Sequence, residues 1–172
     1  MKKILILGYM GSGKSVIGKL VAERLQIPFY DLDDLIENRL QMSISEIFKQ
    51  KGEIYFRKVE HELFNELIQN KATFVLSLGG GTPCYANNHL QFSGENTASI
   101  YLNASIETLY ARLFPERFKR PLIANLKEDE FKEYIAKHLF DRSYFYNQAS
   151  LRVLVNDKTP EEIVNEIVLK LA

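Results

Sequence analysis

Residues 8–15 read Gly-Tyr-Met-Gly-Ser-Gly-Lys-Ser and match the phosphate-binding pattern G-x-x-x-x-G-K-[ST] in full. Glycines in such a turn let backbone N–H groups face an anion without a side-chain clash. Lys14 supplies a mobile positive charge for nucleotide phosphates, and the Ser15 hydroxyl is a hard oxygen ligand for Mg²⁺. A ligand-free glycine turn is the alternative. The strand and helix predicted on either side favour a nucleotide site.

Two aspartates, Asp31 and Asp33, follow the next apolar run. If Asp31 ends a strand, the two side chains point to the same side, at the edge where open α/β sheets bind ligands. One carboxylate suits the shell of a Mg²⁺ ion, and the other can accept the proton of a substrate hydroxyl. Aspartates that only complement a helix dipole are the alternative. Beside a phosphate cradle we favour the functional interpretation.

Three glycines, Gly79, Gly80 and Gly81, follow a third apolar run. Three consecutive glycines cost backbone entropy, and they permit a ligand to approach the backbone N–H groups closely. This run ends near Ser77 rather than at the aspartate common in nucleotide-binding strands, so Asp31 is the candidate for the metal role.

Two arginines, Arg57 and Arg142, each allow two interpretations. Arg57 lies at the edge of an apolar helical stripe, where it can pair with Glu60 or reach into a cleft as a carboxylate fork. Arg142 lies late in a long amphipathic helix and can pair with Asp141 instead of binding a ligand. The nearby tyrosines, Tyr144 and Tyr146, are predicted to be packing residues, and the three histidines lack metal-ligand spacing.

Residues 115–127 form a long basic segment with two prolines. A segment of this length between regular elements is typical of a functional loop. Its basic residues, Arg117, Lys119 and Arg120, could close over phosphate charge as a lid does. The proline after Arg120 favours that residue as the lid arginine, with Arg117 as the alternative.

Five strand-like runs alternate with helical patterns and predict a parallel sheet with helices on both faces. The predicted strands are residues 4–7, 29–31, 74–78, 98–102 and 151–155. The predicted helices are residues 14–25, 32–40, a helix capped by Ser43, 53–68, 105–114, 129–148, and a last helix capped by Thr159.

The composition is that of one globular domain. The chain has 172 residues, 46% hydrophobic and 26% charged, with 22 basic and 22 acidic residues. The charge balance gives no support for a nucleic-acid partner, and no apolar stretch approaches the ~20 residues that span a bilayer. Cys84 is the single cysteine, which excludes an intrachain disulfide. We expect a cytoplasmic protein.

The motifs in their order resemble the shikimate kinase family over nearly the whole chain. They are G-x-x-G-x-G-K-S, F-x-D-x-D, G-E-x-x-F-R-x-x-E, L-G-G-G, R-P-L and a late helical arginine before tyrosine. The resemblance implies a three-layer P-loop kinase fold, with a five-stranded parallel sheet of order 2-3-1-4-5 and a mobile lid. It also implies one domain over residues 1–172, with the lid at about 112–127 and a substrate-binding helical region at about 32–62.

The resemblance further implies ATP-dependent phosphorylation of the shikimate 3-hydroxyl by a monomer, with Mg²⁺ held by Ser15 and Asp31. Asp33, Lys14 and Arg120 are then the catalytic residues. The implied nucleotide-binding residues are Gly11, Ser12, Gly13, Lys14, Ser15, Val16, Arg112, Arg120 and Arg152. The implied shikimate-binding residues are Asp33, Arg57, Gly79, Gly80, Gly81, Arg120 and Arg142.

Three alternative functions share the phosphate cradle. Gluconate kinase and nucleoside monophosphate kinase would differ in the acceptor. A nucleotide-binding regulatory module would need neither the second aspartate nor the arginines.

Overall fold

We describe the protein from a computed structural model, over residues 2–120 and 122–172. Met1 and Pro121, and with Pro121 the centre of the R-P-L motif, lie outside the described residues. The strands are β1 (Lys3–Leu7), β2 (Phe29–Asp31), β3 (Phe74–Ser77), β4 (Thr97–Asn103) and β5 (Leu151–Leu154). They form one parallel sheet in the order β2-β3-β1-β4-β5, which confirms the predicted topology.

Seven α-helices pack around this sheet in the described part of the chain. They are α1 (Lys14–Leu25), α2 (Leu32–Leu40), α3 (Ile44–Lys51), α4 (Glu53–Gln69), α5 (Ile106–Leu113), α6 (Glu128–Tyr146) and α7 (Pro160–Leu171). The predicted caps are confirmed: Ser43 forms a capping box at α3, and Thr159 forms one at α7 with Pro160 in the first turn. Among the described residues, no helix is both long and apolar enough to cross a membrane.

The central strands are covered on both faces. Every residue of β1 and β3 is buried, as their continuous apolar runs predict. Because parallel strands all point the same way, their carboxyl ends meet at one edge, where the phosphate-binding turn, Asp31 and the three glycines lie side by side.

The segment predicted as a lid begins with regular structure. Residues Phe114–Lys119 form a 3₁₀ helix, and Arg117 packs over the rings of Phe114 and Phe118 at 3.9 and 4.2 Å. Its guanidinium also donates to the Phe114 carbonyl at 2.8 Å. Arg117 is therefore engaged within its own turn, which supports Arg120 as the arginine that serves the site.

Replacing Phe131 should test how the long helix α6 is attached. This fully buried ring contacts Tyr110 and Phe114 edge-on. Phe131→Ala should lower the free energy of unfolding by about 3–5 kcal/mol, measured by urea denaturation. The control Phe118→Ala removes a ring that is 70% exposed and should cost less than about 1 kcal/mol. Equal losses in the two variants would contradict this packing.

Candidate active site

A cleft of about 670 Å³ lies at the carboxyl ends of β1, β2 and β3. Most of the residues predicted for the site line it, and the two exceptions are Arg57 and Arg152. The lining residues are Gly11, Ser12, Gly13, Lys14, Ser15, Val16, Asp31, Asp33, Gly79, Gly80, Gly81, Arg112, Arg120 and Arg142. The chain thus brings together residues that lie up to 131 positions apart.

The phosphate cradle begins α1. Gly13 caps this helix with φ 94°, a left-handed conformation that a side chain rarely adopts. Lys14 follows it, and its ammonium donates to the Tyr9 carbonyl at 3.1 Å. Burial lowers the pKa of Lys14 to about 8, against the opposing effect of Asp33 and Asp31. A phosphate group beside the ammonium would favour its charged form.

Ser15 and Asp31 meet at the side of the cradle. The Ser15 hydroxyl donates to Asp31 Oδ2 at 2.7 Å, while Asp31 Oδ1 accepts from the Asp33 N–H at 3.0 Å and caps α2. Asp31 is therefore a helix cap and a neighbour of the serine hydroxyl at once. Among the described residues no three or more His, Cys, Asp or Glu cluster as metal ligands. One hydroxyl and one carboxylate fit Mg²⁺, which keeps most of its shell as water and phosphate oxygen.

Asp33 has the environment of a proton acceptor. Burial, with the nearby charges of Asp31 and Glu60, raises its pKa from 3.8 to about 6. A carboxylate with this pKa is ionised at neutral pH and is a stronger base than an exposed aspartate. Its position next to Gly79, where a Cβ would lie 3.3 Å from Oδ1, places it at the start of the glycine turn.

Arg57 makes the ion pair with Glu60 and also faces the glycine turn. Its Nη1 donates to Glu60 Oε1 at 2.8 Å, and Thr82 donates to the other Glu60 oxygen at 2.8 Å. Glu60 is 1% exposed, so this pair is held rigidly. A Cβ on Gly81 would lie 2.6 Å from Arg57 Nη2. Only glycine leaves room for the guanidinium at this point.

Arg142 does not form the predicted alternative pair with Asp141. Within the described residues, neither Lys14, Arg120 nor Arg142 has a carboxylate within 4 Å, although all three line the cleft. Lys14 and Arg142 are partly buried, where a charge without a partner is costly because it is desolvated, while Arg120 is exposed at the rim. The cleft is therefore suited to anionic ligands.

The glycine turn offers further anion donors. No N–H group of Gly79, Gly80 or Gly81 donates a hydrogen bond to any residue that the structure describes. Three unused donors in one turn form a concave site for a carboxylate or phosphate oxygen.

The nucleotide side differs in part from the sequence expectation. Arg112 lines the cleft and donates to the Gly11 carbonyl at 3.0 Å. Arg152 does not line the cleft; it borders a separate depression with Lys158 and Lys170. Lys158 and Pro160 do line the cleft and were missed. The sequence signal that could have identified this region is Lys158, a basic residue just before the cap of helix α7. The role of Arg152 stays a prediction that this geometry does not support.

Two residues of α6 were also missed. His138 lines the cleft, and its Nδ1 lies 2.9 Å from the Tyr9 hydroxyl. Tyr146, predicted to be only a packing residue, is fully buried but hydrogen-bonds to the Gly80 carbonyl at 2.6 Å. Neither has a local sequence signal, because both partners are distant in the chain.

The raised pKa of Asp33 predicts a stability effect. Its folded pKa of about 6 exceeds the ordinary 3.8, so its stabilising contribution is complete below about pH 4 and is lost as the pH rises through 6. Asp33→Asn, measured in EDTA without ligands, should therefore raise the free energy of unfolding. The gain should be about 1 kcal/mol larger at pH 7.5 than at pH 5.

The control for this prediction is the exposed carboxylate Asp141 on α6. Asp141→Asn should change the free energy of unfolding by less than about 0.5 kcal/mol at either pH. A gain for Asp33→Asn that is independent of pH, or a loss, would contradict the assigned environment.

Comparison with known proteins agrees with this geometry. The family model described as "Shikimate kinase" matches residues 10–172. A shikimate kinase of Flavobacterium johnsoniae is 56% identical over 172 residues, covering 100% of both chains. The crystal structure of a Bacteroides thetaiotaomicron shikimate kinase has a TM-score of 0.88 at 32% identity, covering 99% of this chain and 98% of that one. A shikimate kinase of Acinetobacter baumannii, solved in complex with shikimate, has a TM-score of 0.86 at 28% identity, with 99% and 93% covered.

The sheet order, the phosphate cradle and the full-length similarity thus agree with the motifs in the sequence. The chain belongs to the shikimate kinase family.

Proposed function

We propose that this chain transfers the γ-phosphoryl group of ATP to the 3-hydroxyl of shikimate, in the route to chorismate and the aromatic amino acids. The observation that carries the proposal is the set of four cations that line one cleft without carboxylate partners among the described residues: Lys14, Arg112, Arg120 and Arg142. ATP and the shikimate carboxylate supply the missing negative charge. The family membership and the shikimate complex of the Acinetobacter baumannii relative support the choice of acceptor.

The nucleotide binds along the cradle from Gly11 to Val16. The N–H groups at the start of α1 and the Lys14 ammonium hold the β- and γ-phosphates. Arg112 and Lys158 flank the nucleotide side of the cleft, and Arg120 approaches from the lid. Ser15 and Asp31 hold Mg²⁺, which supplies charge neutralisation on the phosphates when bound.

Shikimate binds between α4, α6 and the glycine turn. Arg57 and Arg142 hold its carboxylate, together with the free N–H groups of Gly80 and Gly81. Guanidinium groups suit this task better than ammonium groups, because they bind both carboxylate oxygens at once. This contact fixes the ring so that the 3-hydroxyl faces the γ-phosphate.

Asp33 accepts the proton of the attacking hydroxyl as the oxygen–phosphorus bond forms and the bond to ADP breaks. Its raised pKa makes it a suitable acceptor near neutral pH. Lys14 and Arg120 stabilise the negative charge on the phosphoryl group during its transfer. Catalysis is then mainly positioning and electrostatic stabilisation.

The proposal also covers the organisation of the chain. Residues 1–172 act as one domain, with a mobile lid at about 112–127 and a substrate-binding region at about 32–62. The enzyme is a monomer of the cytoplasm, where ATP is available. Light scattering of the purified protein measures its molar mass in solution and so tests whether it is a monomer.

An ADP-release assay with four acceptor conditions tests the activity. With ATP and Mg²⁺ present, we expect turnover with shikimate and only background with gluconate, AMP or no acceptor. Turnover with gluconate or AMP instead would identify a different small-molecule kinase. Equal ADP release with and without acceptors would indicate a nucleotide-hydrolysing module.

Gly81→Ala tests the carboxylate site. The new methyl group would lie 2.6 Å from Arg57 Nη2, and the φ of −96° at this position is one that alanine adopts, so the effect is steric. We expect KM for shikimate to rise about tenfold or more, with KM for ATP unchanged. In the control Gly94→Ala, the Cβ meets no atom within 4 Å, and both constants should stay within about twofold. An unchanged KM for shikimate in Gly81→Ala would exclude Arg57 and Gly81 from the site.

A further inference from the structure

The last residue of α6, Tyr146, contacts the substrate-binding turn through its hydroxyl. Its side chain is completely buried, and the hydroxyl donates to the Gly80 carbonyl at 2.6 Å. Burial raises the pKa of Tyr146 above its ordinary value, so the phenol stays a hydrogen-bond donor over the working pH range. A buried hydroxyl needs an acceptor, and the one it finds here is the backbone of the glycine turn, 66 positions away in the chain.

The same hydroxyl also lies beside Arg142. Arg142 precedes Tyr146 by one helical turn, and its Nη1 lies 3.5 Å from the tyrosine oxygen, at the outer limit of a hydrogen bond. A Cβ built on Gly80 would lie 3.1 Å from the same Nη1. The tyrosine oxygen, the Gly80 carbonyl and the Arg142 guanidinium are therefore mutual neighbours.

The hydrogen bond to Gly80 fixes the direction of the next N–H group. The peptide between Gly80 and Gly81 is trans, so its C=O and N–H point in opposite directions. With the carbonyl held toward Tyr146 on α6, the Gly81 N–H is directed to the opposite side of the turn. Glycine backbones are otherwise the most mobile, because no Cβ limits their conformations.

We propose that Tyr146 is a positioning residue for the acceptor site, which orients the Gly80–Gly81 peptide and the Arg142 guanidinium for one anionic group. This inference rests on the proposed function, since the anionic group is the shikimate carboxylate. Tyr146 does not touch substrate or the reacting atoms. It acts through the Gly81 N–H group and the Arg142 guanidinium, which contact the substrate.

Tyr146→Phe, with Tyr101→Phe as the matched control, tests the proposal. The Tyr101 ring packs against that of Tyr146 at 5.1 Å between centroids, but its hydroxyl bonds to Asn103, away from the cleft lining. In Tyr146→Phe, KM for shikimate should rise about five- to tenfold, while KM for ATP changes little. In Tyr101→Phe, both KM values should stay within about twofold. An unchanged KM for shikimate in Tyr146→Phe, or equal rises in the two variants, would overturn the proposal.

A second readout separates this inference from the proposed function. The order parameter of the Gly81 N–H bond, measured by ¹⁵N relaxation without substrate, should be lower in Tyr146→Phe than in the wild type and unchanged in Tyr101→Phe, because the peptide loses the hydrogen bond that orients it. If the wild type fails to phosphorylate shikimate, the proposed function fails, and the relaxation measurement still decides the positioning role. An unchanged order parameter at Gly81 in Tyr146→Phe would overturn that role whatever the activity.

Discussion

The site depends on positive charge that the described part of the protein leaves without carboxylate partners. Lys14, Arg120 and Arg142 line one cleft with no carboxylate within 4 Å among the described residues. Some cations elsewhere do have a carboxylate partner, as Arg39 has in Glu66. An anion that binds in the cleft stabilises these positive charges. The free N–H groups of the glycine turn also point partial positive charge at such an anion.

The fold brings these groups together through the parallel sheet. β1 and β3 are neighbours, so the cradle that follows the first lies against the glycine turn that follows the other. The two turns are in contact: a Cβ on Gly80 would lie 3.7 Å from the Met10 nitrogen, an ordinary van der Waals distance. The two buried carboxylates have different roles. Glu60 forms an ion pair with Arg57, while Asp33 has a raised pKa that suits proton transfer.

The sequence predicts the elements well, because each has a local cause. Continuous apolar runs predict the buried strands, and Ser43 and Thr159 mark the starts of α3 and α7. The cradle is contiguous in sequence, so its position and its lysine follow from the motif alone. The family resemblance supplied the strand order and the acceptor.

Contacts between distant residues could not be predicted in this way. Whether Arg57 pairs with Glu60 or faces the cleft stayed open, and the structure shows that the ion pair holds the guanidinium against Gly81. Tyr146 looked like packing because its partner is 66 positions away. Arg152 was predicted to bind the nucleotide and Lys158 was not considered, whereas Lys158 lines the cleft and Arg152 does not.

Calorimetric titration with shikimate and with its methyl ester, which lacks the negative charge, tests the central claim most directly. If the Arg57 and Arg142 guanidinium groups and the free N–H groups hold the carboxylate, shikimate should bind and the ester should bind at least about tenfold more weakly. Equal affinities for the two compounds would contradict the account, because the positive charge of the cleft would then have no part in binding the acceptor.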